Sequence, residues 1–124
     1  GDSRAYILRD NELQQITEDH TYVNELVRSG VITKEEAETH SQRNVITRAI
    51  GAEPFVKTDF YRAPIEAGDI LMLCSDGLYG EVEEQRMVEI LNGNESMSQI
   101  CNLLVDEAIE CGGRDNITVV CLKV

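Results

Sequence analysis

From Arg4 to Leu8 (RAYIL) the chain is apolar and β-favouring. Glu12 to Thr17 (ELQQIT) offers a second strand after the turn pair Asp10-Asn11, and together they predict a β-hairpin. From Thr21 the period changes. Val23, Leu26 and Val27 fall at helical spacing, and Gly30 is placed to end a short helix. Thr33 followed by Glu36 is a capping-box signature, which predicts a second short helix over Lys34 to Thr39. His40 to Gly51 is less regular. After Pro54, the segment Phe55 to Arg62 alternates enough to be a strand. Pro64 to Gly68 resembles a turn before Asp69 to Cys74 (DILMLC), an unbroken apolar run that fits a strand buried on both faces at the centre of a sheet. Val82 to Leu91 and Met97 to Cys111 carry helical stripes, the second stronger, and Gly112-Gly113 stops it. Ile117 to Val124 (ITVVCLKV) is a terminal strand dense in β-branched residues. The expectation is an α+β chain with about five strands, whose buried-type strands need a second layer to cover them.

Composition narrows the function. A chain of 124 residues suits one compact domain. Eleven Lys and Arg against 23 Asp and Glu give a formal charge of -12. Such a surface repels phosphate backbones, so nucleic acid is not an expected partner. No apolar run approaches the ~20 residues that cross a bilayer, and no signal-peptide pattern opens the chain. The reading is a cytoplasmic protein with no membrane partner. Cys74, Cys101, Cys111 and Cys121 stand outside any CxxC pair and beside apolar neighbours, so they read as reduced core thiols and not as a zinc site. The abrupt start at Gly1-Asp2-Ser3 and the apolar last strand suggest an incomplete domain whose amino-terminal part is missing.

The sharpest candidate chemistry is Ser75-Asp76-Gly77 at the carboxyl end of the buried strand, together with Arg114-Asp115-Asn116 just before the terminal strand. If those strands are antiparallel neighbours, the end of one lies beside the start of the other and both carboxylates reach one sheet edge. Two close carboxylates repel unless a cation lies between them, and oxygen ligands without His or Cys favour a hard ion such as Mg2+ or Mn2+. Asp2, at the start of the first strand, is a third acidic residue for the same edge. The alternative is that all three aspartates are ordinary turn formers, since Asp beside Gly or Asn is common in loops.

The segments GDSRAYILR, ITEDHTYVNELVRSGVITKEEAETH, RNVITRAIG, LCSDGL and GGRDNITVV occur in that order. In this the chain closely resembles the metal-dependent protein phosphatase family, type 2C, in its bacterial form, over the carboxy-terminal half of that domain. The resemblance implies that residues 1–124 are part of a two-sheet antiparallel β-sandwich flanked by α-helices, with a helical flap at about 21–48 and the amino-terminal half absent. It implies a Ser/Thr protein phosphatase that hydrolyses phosphoserine and phosphothreonine through a water bridging two Mn2+ or Mg2+ ions, without a phosphoenzyme. Asp76 and Asp115 would be metal ligands, and Asp2, with Asp76, would hold a third, weaker ion. The family's remaining acidic ligands, its phosphate-binding arginine and its histidine acid come from the amino-terminal half. The fragment is therefore expected to be inactive alone, to self-associate through uncovered strands, and in its parent to act on phosphorylated proteins opposite a Ser/Thr kinase.

His20 reads as structural, and His40 as a surface residue of the flap. Arg43 and Arg48 are substrate-proximal candidates that would guide an anionic phosphosubstrate, although in a chain this acidic they more simply pair with nearby Glu. The run Glu81, Glu83 and Glu84 reads as a helix start that suits the macrodipole. A second functional reading is a non-catalytic, phosphatase-like module that binds a partner through its acidic surface. An Asp-Gly pair in the missing half would separate the two.

Overall fold

Asp10 and Asn11 adopt φ of 49° and 64°, the left-handed pair of a tight two-residue turn that Asp and Asn tolerate. They join strand β1 (Arg4–Arg9) to strand β2 (Glu12–Gln15) in register Leu8↔Leu13 and Arg9↔Glu12. The computed structural model describes residues 1–124, which divide into two units. Gly1–Asp2 with Glu18–Phe60 forms one, and Ser3–Thr17 with Tyr61–Val124 forms the other.

In the first unit, helix α1 (Tyr22–Arg28) is capped by Thr21, whose side chain accepts from the Asn24 N–H, and Gly30 follows the helix at φ 74°. Helix α2 (Lys34–Glu38) starts in the same way, with Thr33 accepting from the Glu36 N–H at 3.1 Å. Both helices sit where the caps predict. The expected strand over Phe55 to Arg62 does not form, because no backbone segment of this chain pairs with it. Alternation alone does not make a strand without a hydrogen-bonded neighbour. Phe55 and Phe60 are each 90% exposed.

The second unit holds one antiparallel sheet in the order β2-β1-β3-β4, with β3 spanning Ile70–Cys74 and β4 spanning Val119–Lys123. Between β3 and β4 come α3 (Asp76–Tyr79), α4 (Glu84–Leu91) and α5 (Met97–Glu110). The one-turn α3 was not foreseen, since four residues carry no periodicity. Helix α5 has a full capping box, Ser96 with Gln99, and its stripe Ile100, Leu104 and Ala108 is fully buried. That stripe packs with α4 against Tyr6, Leu8, Ile70, Met72 and Cys74.

The α+β class stands, and β3 is internal to the sheet as expected. Burial on both of its faces is a correction: Leu73 is 46% exposed, and Val120 and Leu122 beside it on β4 are also exposed. The helices cover one face only. Of the thiols, Cys74 is buried and Cys101 and Cys121 are partly so, all without disulfides. Cys111 is exposed because it is the C-cap of α5 and not a core residue. Burial, and then the hydrogen bond to Cys101, pushes the Cys121 thiol pKa up. No helix is long and apolar enough to cross a membrane.

One buried polar contact fixes the start of β3. Arg9 donates from Nε to Asp69 Oδ1 at 2.9 Å and from Nη2 to Oδ2 at 2.6 Å, and the Glu66 N–H also reaches Oδ2, at 2.8 Å. Arg9 first, and then the Glu66 amide, hold the Asp69 carboxyl at about 2, below its ordinary 3.8. Because the folded value is the lower one, this contact stabilises above the unfolded value and is lost as pH falls toward 2. Asp69→Asn is therefore expected to lower the urea midpoint at pH 7, with the gap to the unmodified protein closing between pH about 4 and about 2. A gap constant across that range would remove this pair from the acid response.

Candidate functional site

The segments that carry the two aspartates of the sequence pattern lie at one end of the sheet because β3 and β4 are antiparallel neighbours, with Cys74 opposite Val119. Ser75 extends that pairing past the strand ends. Its N–H donates to the Thr118 carbonyl at 3.1 Å, its hydroxyl donates to the Asn116 carbonyl at 3.1 Å, and the same hydroxyl accepts from the Thr118 N–H at 3.1 Å. So engaged, Ser75 occupies the N-cap position of α3 without capping it through its side chain. Asp76 is the first residue of α3, half-buried, and Asp115 immediately precedes Asn116. Both carboxylates thus flank one joint at one end of the sheet.

Gly77 permits the joint. A Cβ there would lie 2.1 Å from the Asn116 carbonyl oxygen and 2.8 Å from its carbon, so any side chain would push the 116–117 backbone away. Asp115 is exposed and its Oδ1 accepts from the Asn116 N–H at 2.7 Å, which leaves its other oxygen directed by the loop alone. Beside the joint an open groove of about 400 Å³ is lined by Ser3, Arg4, Ala5, Thr17, Leu73, Cys74, Ser75, Thr118 and Val120. Arg4 stacks its guanidinium 3.6 Å from the centre of the Tyr79 ring and donates to the Tyr6 hydroxyl.

Sequence reasoning missed the roles of Ser75 and Glu81. Glu81 lies before α4 and is not part of its first turn, a correction to the expected helix start. Its carboxylate takes Arg114 Nε at 2.8 Å, Nη2 at 3.1 Å and the Arg114 backbone N–H at 3.3 Å. Arg114 holds the Glu81 carboxyl below its usual range. The acidic residue followed at a distance by Gly-Gly-Arg was the available signal, but a contact 33 residues apart has no local pattern.

The remaining candidates lie in the first unit. Asp2 is half-buried. Arg48 pairs with Asp59 at 3.0 Å, and His20 Nε2 lies 2.9 Å from the other Asp59 oxygen. Arg48 first, and then His20, lower the Asp59 pKa. Arg48 is therefore paired, with an Asp and not with the expected Glu. Arg43 is exposed and donates to the His40 carbonyl at 3.1 Å. His40 Nδ1 accepts from the Gln42 N–H, and its ring meets Tyr22 edge-on.

Asp76 and Asp115 offer only hard oxygen donors, the right kind for Mg2+ or Mn2+. Their number is too small: no group of three or more His, Cys, Asp or Glu side chains is gathered to hold a metal. The donors fit such an ion in kind, and a full coordination shell of roughly six oxygens needs further ligands.

Residues 11–124 match the family model described as Stage II sporulation protein E, SpoIIE. The chain belongs to the SpoIIE-type metal-dependent protein phosphatase family. This phosphatase-family chain is 44% identical over 123 residues to the serine/threonine phosphatase stp of Listeria welshimeri, covering 99% of the chain and 49% of that relative. It superposes on the serine/threonine phosphatase of S. agalactiae with a TM-score of 0.94 and 38% identity, covering all of this chain and 51% of that one. The catalytic domain of the phosphatase PstP, solved with two manganese ions, matches at a TM-score of 0.77 and 41% identity over 98% of this chain and 49% of its own. The family member described here thus spans about half the length of those relatives.

Proposed function

We propose that this chain is the carboxy-terminal portion of a protein-serine/threonine phosphatase domain, and that the parent protein hydrolyses phosphoserine and phosphothreonine in proteins phosphorylated by an opposing Ser/Thr kinase in the cytoplasm. The observation that carries the reading is the Ser75 joint, which brings Asp76 and Asp115 to one end of the sheet with Gly77 pressed against Asn116. Asp76 and Asp115 would hold divalent cations, Mn2+ or Mg2+, and Asp2 would serve a third, weaker one. When bound, such ions neutralise phosphoryl oxygens and lower the pKa of water. The work of the chain itself is to fix the two carboxylates through Ser75, keep the loop close through Gly77, and leave the end of the sheet open to a phosphorylated side chain. Arg43 and Arg48 are the substrate-proximal cations of this reading, with residues 21–48 as the flap. The uncovered face bearing Leu73, Val120 and Leu122 suits a second sheet supplied by the rest of the domain, as the relatives' twofold greater length supports. Left uncovered, that face favours self-association of the fragment.

The test is Mn2+-dependent hydrolysis of a phosphothreonine peptide. The intact protein is expected to turn over and to stop on chelation. The 124-residue chain alone is expected to stay at background, because two or three carboxylates leave most coordination positions to water. Adding the separately produced amino-terminal half should restore turnover. An intact protein without metal-dependent hydrolysis would refute the phosphatase reading, and robust turnover by the chain alone would refute the ligand shortfall.

A further inference from the structure

The loop that carries Asp115 is tied to the segment that carries Asp76 at two points, one on each side of Asp115. Downstream, Ser75 bonds Asn116 and Thr118. Upstream, Glu81 binds Arg114 through both its side chain and its backbone N–H. The Glu81 carboxylate also packs on Gly112, where a Cβ would come within 2.8 Å of its Oε2 and where φ is 147°. Its side chain is 7% exposed against 75% for Arg114, so the carboxylate is the buried, fixed member and the arginine closes over it from solvent.

We propose that Glu81 is a positioning residue for Asp115: by clasping Gly112 and Arg114 it sets where the Asp115 carboxylate stands relative to Asp76, and thereby the affinity of the pair for a divalent cation. This rests on the metal-dependent phosphatase reading above. An exposed ion pair between two mobile side chains contributes little. This one differs because a buried carboxylate accepts from a backbone amide and from a bidentate guanidinium at once, which fixes the loop's main chain and not only a side-chain tip. Arg114 is consumed by this clasp at Nε and Nη2, which makes it a poor candidate for gripping phosphate. The Arg86 pair with Glu107 is also bidentate, at 3.0 and 3.2 Å, but its carboxylate is less buried and takes no backbone amide, which makes it the comparison that isolates the main-chain contact.

The experiment uses the intact protein with Glu81→Ala, Glu81→Gln, Arg114→Ala, the double variant Glu81→Ala/Arg114→Ala, and Glu107→Ala as control. Mn2+ affinity is read by titration calorimetry, and amide exchange over residues 112–118 is read without metal. Glu81→Ala is expected to weaken Mn2+ binding about tenfold, the scale of groups that orient a metal ligand, and to speed exchange over 112–118. Glu81→Gln, which keeps an acceptor for the Arg114 N–H, should recover part of both. The double variant should be no worse than the Glu81→Ala single, because the two residues act as one contact. Glu107→Ala should change neither readout. If the unmodified protein binds Mn2+ and both Glu81 variants match it in affinity and exchange, the positioning role is overturned while the phosphatase reading stands. If the unmodified protein binds no Mn2+, the phosphatase reading fails together with the metal half of this inference, and the exchange rates alone decide whether Glu81 sets the loop.

Discussion

Alanine at Asp76 or Asp115 is expected to cut the Mn2+-dependent turnover of the intact protein by about a hundredfold or more while lowering its melting temperature by only about 2–4 °C. Asp115 is exposed, and its bond to the Asn116 N–H is a local turn contact. Asp76 opens a four-residue helix whose position is fixed by Ser75 before it and by buried Gly77 and Leu78 after it. Losing a local turn or helix-end contact costs about 1 kcal/mol, whereas on the proposed reading losing either carboxylate would remove a charged metal ligand. Asn variants separate charge from shape: they should bind Mn2+ more weakly and turn over slowly with the same melting curve. Near-normal kinetics for either Ala variant would show that the residue holds no metal.

The second large effect is structural. Gly77→Ala places a methyl group 2.1 Å from the Asn116 carbonyl oxygen, and the obstacle is backbone at Asn116 and Ile117, not a flexible side-chain tip. Either α3 or the loop must move. Overpacking of this kind costs about 1–3 kcal/mol, and the displacement falls on the joint between the segments that carry Asp76 and Asp115. The expected result is a melting temperature lower by roughly 2–10 °C in a protein of the intact length, together with weaker Mn2+ binding. Gly68→Ala makes the comparison clean, since Gly68 has φ 96° and open space around it, so only backbone strain of about 1 kcal/mol acts there. Equal losses of metal affinity in the two variants would mean that the close approach at Gly77 has no special part in the site.

What the sequence made legible follows from how local each signal is. The hairpin was readable because Asp10 and Asn11 sit between two β-favouring runs, and α5 because its stripe and its Gly-Gly stop are contiguous. That the Asp76 and Asp115 segments share one end of the sheet was readable only through the inference that two apolar strands would be antiparallel neighbours, which they are. Phe55 to Arg62 misled because alternation reports a preference for a pleated, paired surface, and in this chain that surface finds no pairing partner. The open face of β3 was misread for a related reason: Leu73 is as apolar as Met72, and nothing in the run says which of them the helices cover. Ser75 with Asn116 and Glu81 with Arg114 are polar contacts separated by 41 and 33 residues. Neither has a period, so only the folded chain reveals them.

The cap of α5 has a practical consequence. Cys111 stands in solvent at the end of that helix, while Cys74 is buried and Cys101 and Cys121 are partly covered. A maleimide dye applied briefly near neutral pH therefore has one preferred thiol among the four of this chain. That thiol is four residues before Asp115 in sequence, on the loop that Glu81 clasps. A fluorophore attached there would turn movements of the loop into a change of emission, giving an optical report on cation loading that requires no phosphorylated substrate.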